Sequence, residues 1–247
     1  MTCQRCSKPT MLMTKDNKKY YECTDVSCGH VMPIEGDVIS TNVDRLNHVK
    51  NLSGEKITCG IVIGRFNPIH SSHELLIQTA LEQYPKNHIV FVGSSNHPMS
   101  FRHIFNYTQR TSYIKEIFPD IRLMGLPDYR ESDVVWINYI MDYIEAVFGG
   151  KIHHGPFFDA HLGNVSAQEG NIVPRFFFGS YEDSLLFDNR NFEYTIVNRF
   201  KEGKGLSASE IRDRLINKAD IKDIINPKIC DKVLRDFQIN IEKLKAI

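Results

Sequence analysis

Short runs of apolar, β-branched residues alternate with helical patterns from residue 57 onward, and this alternation limits the possible folds most strongly. The clearest run is Ile57–Gly64, which predicts a buried strand that ends at a glycine. Strands separated by helices favour a parallel sheet with right-handed crossovers, and therefore a Rossmann-like α/β fold. The other predicted strands are 88–92, 121–126, 175–178 and 192–197, and the predicted helices are 73–84, 108–118, 133–148 and one that begins near Ser207.

Length and local composition indicate how the chain is divided. Its 247 residues are enough for one main domain and a small appendage, at ~100–200 residues per domain. We assign residues 1–33 to the appendage, 34–55 to a polar linker and 56–247 to the main domain, with an inserted loop at 149–173. The apolar residues of 221–247 recur at helical spacing, so C-terminal helices are expected to pack on the core.

The overall composition excludes several classes of protein. Thirty basic residues balance thirty acidic ones, which argues against a protein that coats a polyanion. No apolar run reaches the ~18 residues that a membrane span needs. The polar N-terminus does not resemble a secretory signal. We therefore expect a cytoplasmic protein that does not bind a membrane.

Four of the six cysteines lie in the first 28 residues, at a spacing that is typical of a zinc site. Cys3 and Cys6 form one short knuckle, and Cys23 and Cys28 form a second after sixteen intervening residues. Two such knuckles can place four thiolates around one tetrahedral Zn²⁺. The alternatives are unrelated thiols, two disulfides, which are disfavoured in a cytoplasmic protein, or His30 as the fourth ligand in place of Cys28.

Residues 1–33 resemble a zinc ribbon. Apolar residues flank a polar centre at 15–19, which predicts a β-hairpin between the two knuckles. A unit of this size has little core, so the metal would supply much of its folding free energy. Four thiolates leave no open coordination position for catalysis. We expect the ribbon to bind Zn²⁺ structurally and to contact a nucleic acid or a protein.

The candidate site residues of the main domain follow the strands, because ligands of parallel sheets lie beyond the carboxyl ends of the strands. The first strand leads into Gly64-Arg65-Phe66-Asn67-Pro68-Ile69-His70-Ser71-Ser72-His73. Gly64 allows a turn beside a ligand, and Ser71 or Ser72 can cap a helix whose N–H groups attract phosphate. His70 and His73 can both donate to phosphate oxygens, although an isolated pair of this kind is more often structural.

Two further segments add groups that suit an oxyanion. Arg102 and Arg110 follow the second strand, and a guanidinium donates paired hydrogen bonds to phosphate. Near the C-terminus, Ser207 or Ser209 can cap a helix that carries Arg212 in its first turns. Taken singly, each is better explained as a surface charge or an ordinary helix cap; together they are much more specific than any one.

The combined pattern resembles the nucleotidyltransferase superfamily. Its His-x-x-His signature matches Gly64-Arg65-Phe66-x-Pro68-x-His70-x-x-His73, and its Ser-x-Ser/Thr-x-x-Arg signature matches Ser207-x-Ser209-x-Ile211-Arg212. Within it, residues 57–235 resemble the archaeal-type nicotinamide mononucleotide (NMN) adenylyltransferases. The residues that point to this branch are Asn67, Gly93-Ser94, Arg102, Arg110, Pro127-Asp128, Asp133 and Trp136.

The resemblance implies transfer of an adenylyl group from ATP to NMN by direct in-line attack, giving NAD⁺ and pyrophosphate, with Mg²⁺ carried by the triphosphate. It implies catalytic roles for His70, His73 and Arg212. The ATP-binding residues would be Gly64, Arg65, Phe66, Asn67, Arg102, Ser207 and Ser209. The NMN-binding residues would be Arg110, Asp128, Asp133 and Trp136, with the Trp136 ring stacked on nicotinamide. We also expect a homo-oligomer.

The chain departs from the family pattern at two places. Ser72 stands where the family usually has glycine, and its Cβ could crowd the nucleotide. The insertion at 149–173 is not part of the minimal pattern; it could be a lid, an oligomer contact or a metal site built from His153, His154 and His161. The segment after Arg212 is too short for the Nudix hydrolase domain that some relatives carry, at ~100 residues per domain.

Two other functions stay open at this stage. A sibling transferase would deliver a nucleotidyl group to another phosphate, but Trp136 and the acidic residues Asp128 and Asp133 suit a flat cationic ring. A regulator would combine a nucleic-acid-binding zinc ribbon with a nucleotide-sensing domain that does not turn over, which Ser72 would favour. A class I aminoacyl-tRNA synthetase is excluded, because the chain is short and lacks a Lys-Met-Ser-Lys-Ser loop.

Overall fold

The computed structural model describes residues 10–15, 18–23, 31–33, 55–128, 133–159, 164–188, 192–197 and 207–246. The strands are β1 (Thr10–Lys15), β2 (Lys18–Cys23), β3 (Val31–Pro33), β4 (Ile57–Gly64), β5 (His88–Gly93), β6 (Leu123–Leu126), β7 (His154–Asp159), β8 (Asn164–Gln168), β9 (Ile172–Phe178) and β10 (Glu193–Ile196). The helices are α1 (Ser71–Gln83), α2 (Tyr107–Ile117), α3 (Asp133–Phe148), α4 (Tyr181–Asp188), α5 (Ala208–Ile216) and α6 (Pro227–Lys245).

The main domain is built on a parallel sheet of five strands in the order β10-β9-β4-β5-β6. This confirms the predicted Rossmann-like α/β fold. The first strand of the sheet, β4, lies in the centre, and the chain adds β5 and β6 on one side and β9 and β10 on the other. The connections that leave β4 and β9 therefore diverge, and a crevice opens at the carboxyl edge of the sheet.

Strand side chains alternate between two hydrophobic cores, one on each face of the sheet. On β5, Val90 and Val92 join the first core, whereas Ile89 and Phe91 join the second. The first face is covered by α1, α2, α5 and α6, and we call it the α1 face. The second is covered by α3 and α4, and we call it the α3 face. The two cores hold these helices in place around the crevice.

The inserted segment is more regular than its sequence predicts. Residues 149–173 contain an antiparallel hairpin of β7 and β8, and β9 already begins at Ile172, so the prediction of a loop is wrong. Backbone pairing sustains the hairpin even though its sequence shows no clear apolar period. Glu145, near the end of α3, anchors it: its carboxylate accepts hydrogen bonds from the Ile152 N–H and the Gln168 side chain, both at 3.0 Å.

The N-terminal segment contains a small antiparallel sheet in the order β1-β2-β3. β1 and β2 pair from Thr10 with Cys23 to Lys15 with Lys18, as expected for the predicted hairpin. Cys3, Cys6 and Cys28 lie outside the described residues, as do the side chain of Cys23 and most of the linker at 34–55. The zinc site therefore stays a prediction. Within the described ranges, no helix is long and apolar enough to cross a membrane.

The packing of α6 generates a prediction about stability. Tyr113 on α2 is fully buried, and its hydroxyl donates to the carboxylate of Asp236 on α6 at 2.6 Å. Tyr113→Phe removes this hydrogen bond but keeps the ring, so we expect the free energy of unfolding to fall by about 1.5–3 kcal/mol. Urea unfolding followed by circular dichroism measures the change. Tyr181→Phe, at a ring that is 56% exposed, is the control, and equal midpoints for the two variants would contradict the prediction.

Candidate active site

A cavity of about 580 Å³ opens at the carboxyl edge of the sheet. It is lined by residues from the ends of β4, β5 and β9 and from the starts of α1, α3, α4 and α5. The structure thus brings most of the sequence-predicted site residues to one place. Those that line the cavity are Gly64, Arg65, Phe66, Asn67, His70, His73, Arg102, Asp128, Asp133, Trp136, Ser209 and Arg212.

The floor of the cavity depends on the turn that ends β4. Phe66 has a φ of 50°, in the left-handed region, and its ring folds back over Gly64. A Cβ on Gly64 would lie 2.7 Å from Phe66 Cζ, so a side chain there would displace the ring. The Phe66 ring is fully buried and meets the His73 ring edge to face, with 5.0 Å between centroids. Gly64 is therefore needed for close packing beneath the histidines.

Asn67 joins the loop after β4 to two other segments. Its side chain exchanges hydrogen bonds with the backbone of Phe105, at 3.2 Å to the N–H and 3.4 Å to the carbonyl. Its backbone carbonyl accepts from Arg212 Nη1 at 2.8 Å, while Arg212 Nη2 donates to Ser209 Oγ at 2.8 Å. The Asn67 amide thus positions the loop, and Arg212 connects the loop to α5.

Three arginines lie close enough to influence one another electrostatically. Burial lowers the pKa of Arg212, and the positive charges of Arg65 and Arg102 lower it further, while Asp213 opposes them. All three guanidinium groups belong to residues that line the cavity. Such a cluster of cations favours a ligand that carries several negative charges, such as a polyphosphate.

The two histidines stand at the start of α1. His70 is the N-cap residue and is 1% exposed, and its ring lies 3.8 Å from the His73 ring, centroid to centroid. The prediction that Ser71 or Ser72 caps this helix is wrong, because the helix already begins at Ser71. Ser72 lines the cavity, and among the described residues its buried Oγ has no hydrogen-bond partner. The extra hydroxyl is thus placed beside the histidine pair.

Two predicted site residues lie outside the cavity lining. Arg110 is 2% exposed, and its guanidinium donates to the backbone carbonyls of Arg65, Gly93 and Ser94 at 2.6–3.0 Å. Burial lowers the pKa of Arg110 to about 10. These three hydrogen bonds fix two loops, whereas the buried Nε has no hydrogen-bond partner among the described residues, so the contacts of Arg110 are those of a positioning residue. Ser207 likewise accepts from the Glu210 N–H at 3.2 Å and caps α5.

A second part of the cavity combines carboxylates with aromatic rings. The Asp128 carboxylate, after β6, accepts from Ser94 Oγ at 2.8 Å and lies 3.3 Å from His97 Nε2. Trp136 on α3 meets Phe187 on α4 edge to face, with 6.2 Å between ring centroids. The rings and carboxylates here can accommodate a flat, positively charged group.

The sequence analysis missed the contribution of α4. Phe178, the last residue of β9, lines the cavity together with Gly179, Glu182, Asp183 and Phe187, which follow it. The rule that ligands lie beyond strand ends already pointed to this segment. The short helix was not recognised because its apolar residues show almost no helical periodicity.

The described residues contain no cluster of three or more His, Cys, Asp or Glu side chains that could hold a metal ion. Cys59 and Cys230 are buried free thiols. Burial raises the pKa of Cys59 to about 12, which keeps it protonated and unreactive.

Comparison with known proteins relates this geometry to one group of enzymes. A cytidylyltransferase-like family model matches residues 61–140. The chain is 21% identical over 197 residues to the nicotinamide-nucleotide adenylyltransferase of Thermococcus onnurineus, covering 76% of this chain and 87% of the relative. It is 23% identical over 197 residues to the enzyme of the same name from Pyrococcus horikoshii, covering 76% of this chain and 88% of the relative.

The fold also resembles a solved structure. A bifunctional NMN adenylyltransferase/ADP ribose pyrophosphatase from Francisella tularensis superposes with a TM-score of 0.55 at 19% identity, covering 76% of this chain and 54% of that one. Its complex with AMP and a manganese ion gives a TM-score of 0.51 at 18% identity, covering 76% and 53%. The chain thus spans about half the length of that protein. The fold is that of the α/β nucleotidyltransferases. Nucleotidyl transfer is the class of reaction that the comparisons support.

His103, beside the cavity, makes stability depend on pH. Its ring is 8% exposed and stacks on His97 at 4.6 Å between centroids. Burial, followed by the positive charges of His97, Arg65, Arg110 and Arg102, lowers the pKa of His103 from 6.5 to about 4. Between pH 6.5 and about pH 4, the His103 side chain is mostly protonated in the unfolded chain but mostly neutral in the folded protein. The stability contributed by neutral His103 is therefore complete above pH 6.5 and is lost as the pH falls towards 4.

We expect His103→Phe, which keeps a flat ring, to lose less stability than the wild type between pH 7 and pH 5. The difference in slope should be up to about 1.4 kcal/mol per pH unit. Urea unfolding at a series of pH values measures it. His153→Phe replaces an exposed histidine and should parallel the wild type. A His103→Phe curve that also runs parallel to the wild type would show that His103 titrates normally.

Proposed function

We propose that the protein transfers an adenylyl group from Mg²⁺-ATP to NMN, giving NAD⁺ and pyrophosphate. The observation that carries this proposal is the convergence of a histidine pair, three arginines and a tryptophan on one cavity at the carboxyl edge of the sheet. The names of the relatives from Thermococcus and Pyrococcus support NMN as the acceptor. A phosphate oxygen of NMN would attack the α-phosphorus of ATP as the bond between the α-phosphorus and its bridging oxygen breaks.

This reaction needs positioning and charge neutralisation more than a protein nucleophile. In the proposed complex, Arg65, Arg102 and Arg212 bind the triphosphate and neutralise charge on the leaving pyrophosphate. His70 and His73 donate to phosphate oxygens, and His73 stabilises the transition state at the α-phosphate. Mg²⁺ enters with ATP as part of the substrate. Because the β4 loop is tied to α5 and to Phe105, these donors need little reorganisation when the nucleotide binds.

The mononucleotide would occupy the side of the cavity that carries Trp136. Its pyridinium ring carries a positive charge, and an indole face beside carboxylates stabilises such a ring. Asp128 and Asp133 supply negative charge in this region. The aromatic contact distinguishes the proposed acceptor from phosphopantetheine or glycerol phosphate, which have no flat ring to stack.

A product assay tests the proposal directly. Purified protein is incubated with Mg²⁺-ATP and NMN, and NAD⁺ and pyrophosphate are measured by chromatography. Formation of both products in equal amounts is expected. Turnover with another phosphate acceptor but not with NMN would instead identify a sibling transferase. Tight nucleotide binding without turnover on any acceptor would identify a nucleotide-sensing regulator, in which Ser72 crowds the site.

His73→Ala should lower kcat by about 10²-fold or more, because it removes one preorganised donor to the reacting phosphate. The KM for NMN should change much less. Steady-state kinetics under saturating ATP measures both constants. His153→Ala, which removes an exposed histidine away from the cavity, is the matched control. Near-normal kcat in His73→Ala would rule out a role in the transition state.

Trp136→Ala should raise the KM for NMN by about tenfold while changing the KM for ATP little, because the ring is assigned to the mononucleotide alone. Trp136→Phe, which retains a stacking face, should restore most of the affinity. Initial rates with each substrate varied in turn separate the two constants. Equal increases for both substrates would mean that the ring supports the cavity as a whole.

A further inference from the structure

Ser72 places a buried hydroxyl at the wall of the cavity. The residue is 6% exposed and lines the cavity, and its Oγ has no hydrogen-bond partner among the described residues. A serine hydroxyl that is removed from water normally has a partner, because a buried donor without one destabilises the folded protein. A polar atom of this kind beside a cavity indicates that a ligand atom supplies the partner.

The position of Ser72 in α1 orients its side chain. Ser72 is the second residue of the helix, and His70 is the N-cap residue. Helical side chains lean towards the N-terminus of their helix, so the side chain of Ser72 leans towards the end of α1 where His70 lines the cavity. Leu76, one turn later on the same face of α1, lines the cavity as well. Ser72 therefore belongs to the face of α1 that borders the cavity.

The Ser72 hydroxyl can turn towards a ligand by rotation about one bond. In the interior of a helix, the preceding turn blocks one of the three staggered positions of a side chain. Ser72 has no preceding helical turn, because α1 begins at Ser71. All three staggered positions are therefore open to its Oγ as far as α1 itself is concerned.

The groups around Ser72 favour an anionic ligand. The next residue, His73, lines the cavity, and so does Arg212. The side chain of the N-cap residue His70 makes no capping hydrogen bond to the first N–H groups of α1. Such N–H groups donate to phosphate oxygens, and a helix N-terminus carries about half a positive charge. A phosphate at this end of α1 can therefore accept hydrogen bonds from the backbone and from the Ser72 hydroxyl together.

We propose that Ser72 binds the nucleotide by donating its hydroxyl to a non-bridging phosphate oxygen of ATP. This inference rests on the proposed function for the identity of the nucleotide. Glycine, which the family resemblance implies at this position, has no side-chain donor, so serine adds a hydrogen bond that the usual pattern lacks. A hydrogen bond to a charged acceptor corresponds to about tenfold in affinity or more. Ser72 thus strengthens nucleotide binding and does not crowd the nucleotide.

The first test measures binding of a non-hydrolysable ATP analogue with Mg²⁺ by isothermal titration calorimetry. Ser72→Ala keeps the Cβ and removes the hydroxyl, and we expect it to weaken binding about tenfold. Ser72→Gly also removes the Cβ and should bind about as weakly as Ser72→Ala, because both lack the donor. Ser71→Ala is the matched control and should bind like the wild type: Ser71 Oγ is also buried without a partner among the described residues, but Ser71 does not line the cavity.

The second test uses steady-state kinetics with Mg²⁺-ATP and NMN. Ser72→Ala should lower kcat/KM for ATP about tenfold and leave the KM for NMN nearly unchanged at saturating ATP, because the lost donor serves the nucleotide alone. A general disturbance of the cavity would change the constants for both substrates. Thermal unfolding verifies that each variant is folded.

The outcomes separate this inference from the proposed function. Wild-type affinity in Ser72→Ala would overturn the inference. Tighter binding by Ser72→Gly than by the wild type would show that the Cβ crowds the nucleotide, and an equal loss in Ser71→Ala would assign the effect to the start of α1 as a whole; either result would also overturn it. If Ser72→Ala alone weakens binding of the analogue but the wild type forms no NAD⁺ from NMN, the proposed function is refuted and the role of Ser72 in nucleotide binding is supported.

Discussion

The loop between β4 and α1 is clamped by buried and partly buried hydrogen bonds, and the cavity depends on this clamp. Arg110 binds the Arg65 carbonyl from below, Asn67 binds the backbone of Phe105, and Arg212 binds the Asn67 carbonyl from α5. Breaking any one of them would leave a buried polar group without its partner, at a cost of about 1–3 kcal/mol. These hydrogen bonds stabilise the conformation of the loop in which the His70 and His73 rings lie beside each other.

The two arginines of the clamp differ in their exposure to the cavity. Arg110 and Arg212 both donate to loop carbonyls, but Arg110 is almost fully buried and lies outside the cavity lining, whereas Arg212 lines the cavity. A guanidinium has five N–H donors, so Arg212 can bind the loop and still face a ligand. A lysine could not do both with the same geometry, because its donors radiate from one atom. Burial, and not residue type, thus distinguishes the arginine that only positions the loop from the arginine that also faces the cavity.

The sequence predicted the central elements because their signals are local. The β-branched run of β4 and the long apolar period of α3 were assigned with their observed bounds. The site residues after β4 and at the start of α5 could be located because the carboxyl ends of parallel strands meet at one edge. What could not be predicted depended on contacts between distant segments. Arg110 can be buried because carbonyls from two loops accept its hydrogen bonds, and a single sequence segment does not reveal this. The β7–β8 hairpin is held by backbone pairing, which leaves little trace in the pattern of side chains.

The order of the strands accounts for the separation of charge in the cavity. Because β4 lies at the centre, the helices that follow it in sequence reach the same edge from opposite faces of the sheet. Those on the α1 face bring His73 and Arg212, and those on the α3 face bring Asp133 and Asp183. A substitution on one face can therefore change the charge on one side of the cavity without moving the groups on the other side. In a fold of this kind, the cavity residues on α3 and α4 can diverge while those on α1 and α5 stay the same.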